Sequence, residues 1–391
     1  MRIKRSPLFD TGFRPFFLVA SIHAVISMII WFVIYTLKAD ISLVNKLPMN
    51  WHAHEMIYGY AMAVIAGFLL TAVKNWTGLN TISGYKLFIL FSLWLFARIF
   101  SFTNHIFLLK LAAVSDILFT IFLIYGITKP VLKAGDRRQT AIISVLLLIT
   151  VFNIIYYYGI VTNSYFMITS GIYAGLYLII GLILILARRV IPFFTQRVIG
   201  GDILLKNYGI IDGLSPIIFV CFAIADIFTD LKSITSILAI SLFIMHIVRL
   251  GCWYTRGIWK EPLLWVLFVS YASIALGFGM MFVSYIYNLP QFLYIHLFTI
   301  GGIGLLTIGM MSRVSLGHTG RNVYGNYPVL RWIFIPMILA GIFRVFMPIV
   351  SQPQYALWIA VSQVLWVISF AIFIIYYFPI LLSPRVDGQP G

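Results

Sequence analysis

Apolar residues in this chain do not alternate with polar ones. They run together for roughly twenty positions at a time, the length a helix needs to cross a hydrocarbon core of about 30 Å. Twelve such runs are predicted to be transmembrane helices, at approximately 16–37, 54–73, 85–103, 106–128, 140–160, 165–187, 213–230, 233–252, 262–286, 292–312, 329–350 and 355–382. The first follows Arg2, Lys4 and Arg5, as a signal peptide would. It lacks a small-residue cleavage site and is too long, which predicts an uncleaved first span. The widest break between spans falls at Arg188 to Asp212. The pattern predicts an all-α polytopic membrane protein, one transmembrane domain over residues 1–391, with no soluble domain.

Composition agrees with the pattern. The chain is 62% apolar and 10% charged, whereas soluble proteins carry about 25% charged residues. With the N-terminus placed in the cytoplasm, 21 of the 27 basic residues fall on the inner side. Lys38, Lys46, Lys110 and Lys232 fall outside, and Arg98 and Arg344 lie within spans. The positive-inside rule asks for this alternation, so both termini are expected in the cytoplasm. The net charge of +16 then reflects topology and does not point to nucleic acid. Cys221 and Cys252 lie in or at the end of spans and offer neither a disulfide framework nor a CxxC site.

The chemistry concentrates in Trp51-His52-Ala53-His54-Glu55-Met56, at the start of the second span. Residues two apart on a helix point about 200° from each other, so inside a helix the two imidazoles serve different surroundings. Ahead of the first turn, both could reach one metal. His54, Gly59, Gly67, Thr77 and Gly78 have the same spacing as His296, Gly301, Gly309, Thr319 and Gly320 of the tenth span. A fainter echo, Arg189-Val190 before Thr195, appears in the sixth span. Spans two, six and ten would then be equivalent and the chain would comprise three four-helix units. Small residues four apart, Gly59/Ala63/Gly67 and Gly171/Gly175, suit close helix packing.

Several motifs resemble those of the NnrS family: Phe13-Arg14-Pro15-Phe16-Phe17, the Trp51 to Met56 run, Gly67 to Ala72 with Asn75-Trp76-Thr77-Gly78, Arg188 to Phe194, His296 to Gly301, and Arg313 to Arg321. The resemblance implies a bacterial inner-membrane protein of twelve helices, associated with haem, copper and the response to nitric oxide and denitrification intermediates. Two departures stand out. Phe268 occupies the ninth span where the family commonly has a histidine, and Lys74 replaces a proline before Asn-Trp-Thr-Gly, a change that concerns a loop more than chemistry.

With that resemblance, His54 and His296 are the favoured pair of axial ligands for a b-type haem. Both lie near the outer ends of their spans, and the glycine five residues on would leave room for a flat macrocycle. The competing reading has each cap a helix or hydrogen-bond at headgroup level. The pairing is similar to the heme-copper oxidase catalytic subunit, which holds a haem between its second and tenth helices. Spans six and seven contain no histidine, and no His-His pair exists, so the copper half of an oxidase or nitric oxide reductase centre is missing. His52 is the remaining copper candidate, with Glu55 as an orienting carboxylate. His246 is a weaker cofactor ligand, and packing accounts for it equally well. His318 is expected in an inner loop.

Charges within a span cost about 2.5–3.5 kcal/mol each on insertion scales and therefore pair or function. Arg98 with Asp116 is the pair expected from adjacent spans. Arg98 and Arg344 are also candidate clamps for haem propionates; Asp226 completes the set. Two functions compete: a membrane haem or haem-copper protein that handles nitric oxide, and a metal-free transporter or proton-coupled permease using His54, Glu55, Arg98 and Asp116.

Overall fold

A computed structural model describes residues 7–41, 48–103, 105–200 and 205–389. Arg2, Lys4, Arg5 and Lys46, which enter the charge argument, lie outside the described residues. Every expected run is helical, and no strand occurs among the described residues. The helices are α1 Phe13–Tyr35, α2 Pro48–Thr77, α3 Tyr85–Phe100, α4 Ile106–Ala134, α5 Thr140–Thr162, α6 Tyr165–Ile199, α7 Gly209–Phe228, α8 Lys232–Trp253, α9 Pro262–Tyr287, α10 Phe292–His318, α11 Val329–Val350 and α12 Gln352–Leu382. Eleven are long and apolar enough to cross a membrane. The twelfth, α3, has 16 residues. The chain is an all-α polytopic membrane protein.

Helix α6 continues to Ile199, through Arg188, Arg189 and Pro192, where a break was expected. Hydropathy marks where lipid ends, not where a helix ends, and Arg, Gln and Val extend a helix without lipid around it. His318 likewise closes α10 and does not lie in a loop.

The spacing echo has a structural counterpart. Each candidate histidine ends a short α-helical stretch and is followed directly by a π-helical segment, Glu55–Ala61 in α2 and Leu297–Gly304 in α10. Such wide turns insert a residue into the helix and are frequent at functional sites. Gly78 and Gly320, the last members of the echo, both take positive φ, at 68° and 79°. Only glycine accepts that conformation without strain, and it stops both helices at the same register.

Helix contacts divide the chain into two compact units and not into three four-helix units. The first comprises 1–179, 311–323 and 370–391, and the second 180–310 and 324–369. Three of the four boundaries fall inside α6, α10 and α12, so a count by whole spans could not find them. The small-residue stripes pack as expected. A side chain at Gly67 would strike Phe17 at 2.8 Å, and one at Gly171 would strike Tyr156 at 2.7 Å.

Candidate functional site

His54 lies inside a helix, so it and His52 diverge. His52 stacks on Trp31 of α1, with ring centroids 4.6 Å apart and planes within 6°. His54 turns into the first unit and becomes part of a buried charged network. Its Nε2 is 3.0 Å from Asn153 Oδ1 and its Nδ1 is 3.3 Å from Glu55 Oε1. Its ring stacks on Tyr156 at 4.3 Å and meets Tyr157 edge-on at 5.0 Å.

Arg98 of α3 holds this network together. One guanidinium nitrogen, Nη1, donates to Glu55 Oε1 at 2.9 Å, and Nη2 is 2.7 Å from Asp116 Oδ2. Asp116 Oδ2 also accepts from Asn153 Nδ2 and from the Tyr157 hydroxyl, each at 3.1 Å. His23 Nε2 of α1 lies 3.2 Å from Glu55 Oε2. Glu55, Arg98 and Asp116 are all buried. Charges at such depth persist only when paired, which the expected Arg98–Asp116 contact satisfies. Glu55 serves His54, His23 and Arg98, whereas sequence spacing pointed to His52.

Gly59 makes the network possible. A Cβ there would lie 2.8 Å from both Arg98 Nη1 and His23 Nε2. In the echoed position, a Cβ on Gly301 would lie 2.8 Å from Ser273. Neither glycine leaves space for a macrocycle; each admits a side chain of a neighbouring helix. Trp94 adds a hydrogen bond from Nε1 to the Gly59 carbonyl at 2.9 Å, taking up a backbone acceptor of the π segment.

His296 belongs to the second unit and is built differently. Its Nδ1 lies 2.7 Å from the Phe292 carbonyl oxygen, one turn back. A carbonyl only accepts, so Nδ1 carries the hydrogen and Nε2 of the neutral ring keeps its lone pair. The Phe292 ring also carries Arg344, whose Cζ lies 4.5 Å from its centroid.

His246 is fully buried and committed elsewhere. Arg249 Nη1 donates to the Tyr271 hydroxyl at 3.2 Å, and that hydroxyl lies 2.6 Å from His246 Nδ1. Arg249 in turn bonds Asp212 at 2.8 Å, and Arg188 reaches the same carboxylate at 3.2 Å. His105 caps α4, its Nδ1 accepting from the Phe107 amide at 3.3 Å. Phe268, in place of the family histidine, packs against Tyr254 and Trp259.

Among the described residues no group of three or more His, Cys, Asp or Glu side chains is placed to hold a metal ion. His296 has one ring nitrogen on the Phe292 carbonyl, and His54 has one on Glu55 and the other on Asn153. His23, Asn153, Tyr156 and Tyr157 were not singled out from sequence. A lone polar residue such as Asn153, amid an apolar run, was the only signal available.

Among curated proteins none matches the chain. The family model described as NnrS protein matches residues 7–385, nearly the whole length, and the chain therefore belongs to the NnrS family.

Proposed function

We propose that this chain is a membrane haem protein of the nitric oxide response, with His296 as the axial ligand of a b-type haem. It would lie in the bacterial inner membrane with both termini cytoplasmic. The observation that carries the reading is the 2.7 Å contact between His296 Nδ1 and the Phe292 carbonyl. Metal-bound histidines are held in this way, with one ring nitrogen fixed by a backbone carbonyl. Arg344, over the ring of the same phenylalanine, supplies a cation suited to a propionate. A haem held there would supply an iron able to bind nitric oxide. The protein's own part is to fix the ring, offer Nε2 and keep a positive charge nearby. No copper donor set is assigned, because His52 is stacked on Trp31 and no group of three or more metal-donor side chains occurs among the described residues.

The buried Glu55–Arg98–Asp116 network favours a second reading, a metal-free proton-coupled carrier, since intramembrane charge clusters mark such pathways. Visible spectra of protein purified from haem-replete cells separate the two. A Soret band that is absent from His296→Ala and retained in His54→Ala supports the first reading. Metal-free wild-type protein contradicts it.

A further inference from the structure

At the end of the first unit that carries Lys74 and Arg385, four chain segments line a polar cavity of about 220 Å³. Its walls include Thr11, Lys74, Asn75, Ser83, His318 and Arg385. At about 30 Å³ per water, that volume equals roughly seven waters, ample for one tetrahedral oxyanion. Lys74 and Asn75 lie in the last turn of α2, and His318 ends α10. The cavity thus sits where apolar helices give way to polar links.

The walls are tied in place. Thr81 Oγ1 donates to the Leu70 carbonyl at 2.6 Å, and Gly84 N to the Phe9 carbonyl at 2.8 Å. Asn75 Nδ2 lies 3.4 Å from His318 Nε2, and Arg385 Nη1 donates to the His318 carbonyl at 3.1 Å. One group stays unsatisfied: the Thr11 hydroxyl is buried and has no hydrogen-bond partner in the protein. A buried hydroxyl in that state costs free energy unless something in the cavity meets it.

Charge then selects the occupant. Asp10, the carboxylate on the wall, lies within Coulombic reach of Arg14, as do Arg321 and Arg385. Arg385 is paired with Asp387. On the wall itself stand two cations, Lys74 and Arg385, and of these Arg385 is engaged by Asp387, which leaves Lys74 as the charge available to a pocket lined by amide and hydroxyl donors. Lys74 is exposed and free to turn inward.

We propose that this cavity binds a phosphate group, with Lys74 as its charge partner and Thr11, Asn75 and Ser83 as neutral donors. The phosphate comes either from an anionic phospholipid headgroup or from a free phosphate ion. The site is independent of the haem reading. The test uses the full-length protein in nanodiscs of phosphatidylcholine, titrated with inorganic phosphate at constant ionic strength. A parallel set contains phosphatidylglycerol, with retained lipid read by native mass spectrometry. One phosphate bound, or one phosphatidylglycerol retained, is expected, and which of the two occurs identifies the source. Lys74→Ala weakens binding at least tenfold, and Thr11→Val weakens it measurably, with the melting temperature of each variant confirming its fold. Lys129→Ala, on an exposed part of α4 away from the cavity walls, leaves binding unchanged. The proposal is overturned if neither probe binds, or if Lys129→Ala weakens binding as much as Lys74→Ala.

Discussion

Arg98 stands between Glu55 and Asp116, 2.9 Å from one carboxylate and 2.7 Å from the other. This double contact governs the chemistry of His54. Glu55, fixed by Arg98, takes Nδ1, and Asn153, fixed by Asp116, takes Nε2. The histidine that sequence spacing made the leading haem ligand is held as a hydrogen-bonding member of a charged core.

Arg98→Leu is therefore expected to be severe. It strands two buried carboxylates, and breaking a buried pair costs about 3–5 kcal/mol. Arg188→Leu removes a cation that is half-exposed and shares Asp212 with Arg249, and surface pairs are worth at most about 1 kcal/mol. Thermal unfolding in detergent should rank Arg98→Leu far below Arg188→Leu. Equal melting temperatures would mean that the network does not support the fold.

The echoed glycines should respond alike. Ala at Gly59 meets Arg98 and His23 at 2.8 Å, and Ala at Gly301 meets Ser273 at 2.8 Å. Overpacking of this kind typically costs about 1–3 kcal/mol. Gly213 on α7 has nothing within 4 Å of an added Cβ, and Ala there is expected to stabilise the helix by about 0.5–1 kcal/mol. Melting temperatures of the three variants check the ordering.

Which parts of this arrangement were legible in the sequence follows from what each depends on. The spans were readable because lipid forces apolar runs of fixed length, and even the 16-residue α3 was found. Arg98 with Asp116 was readable because two opposite charges on adjacent spans have few other solutions. The partners of Glu55 and His54 were not. His23 is 32 positions from Glu55 on α1 and Asn153 is 99 positions from His54 on α5, and only packing brings them in. The π segments were hidden too, although the matched spacing of His54 and His296 with their glycines carried their trace.

At the C-terminal end, Arg385 donates from Nε and Nη2 to the two carboxylate oxygens of Asp387, and Val386 N donates to the Thr319 carbonyl at 3.1 Å. The Arg385 hydrogen bonds hold the Asp387 carboxyl down at about 2, below its ordinary 3.8. A depressed carboxylate contributes its contact above the ordinary value and loses it as pH falls through the lowered one. The tail should thus stay docked at pH 4 and release only toward pH 2. An NMR titration of a selectively labelled Asp387 carboxyl checks this; a midpoint near 3.8 would mean that the contact does not form in solution.

The most direct measurement is the reduced-minus-oxidised visible spectrum of detergent-purified wild type, His296→Ala and His54→Ala, each checked for fold by its melting temperature. His296 with its Nδ1 tied to Phe292 is expected to be required for the Soret band, and His54, engaged by Glu55 and Asn153, is expected to be dispensable for it. A band that survives in His296→Ala, or that vanishes in a folded His54→Ala protein, would contradict the account.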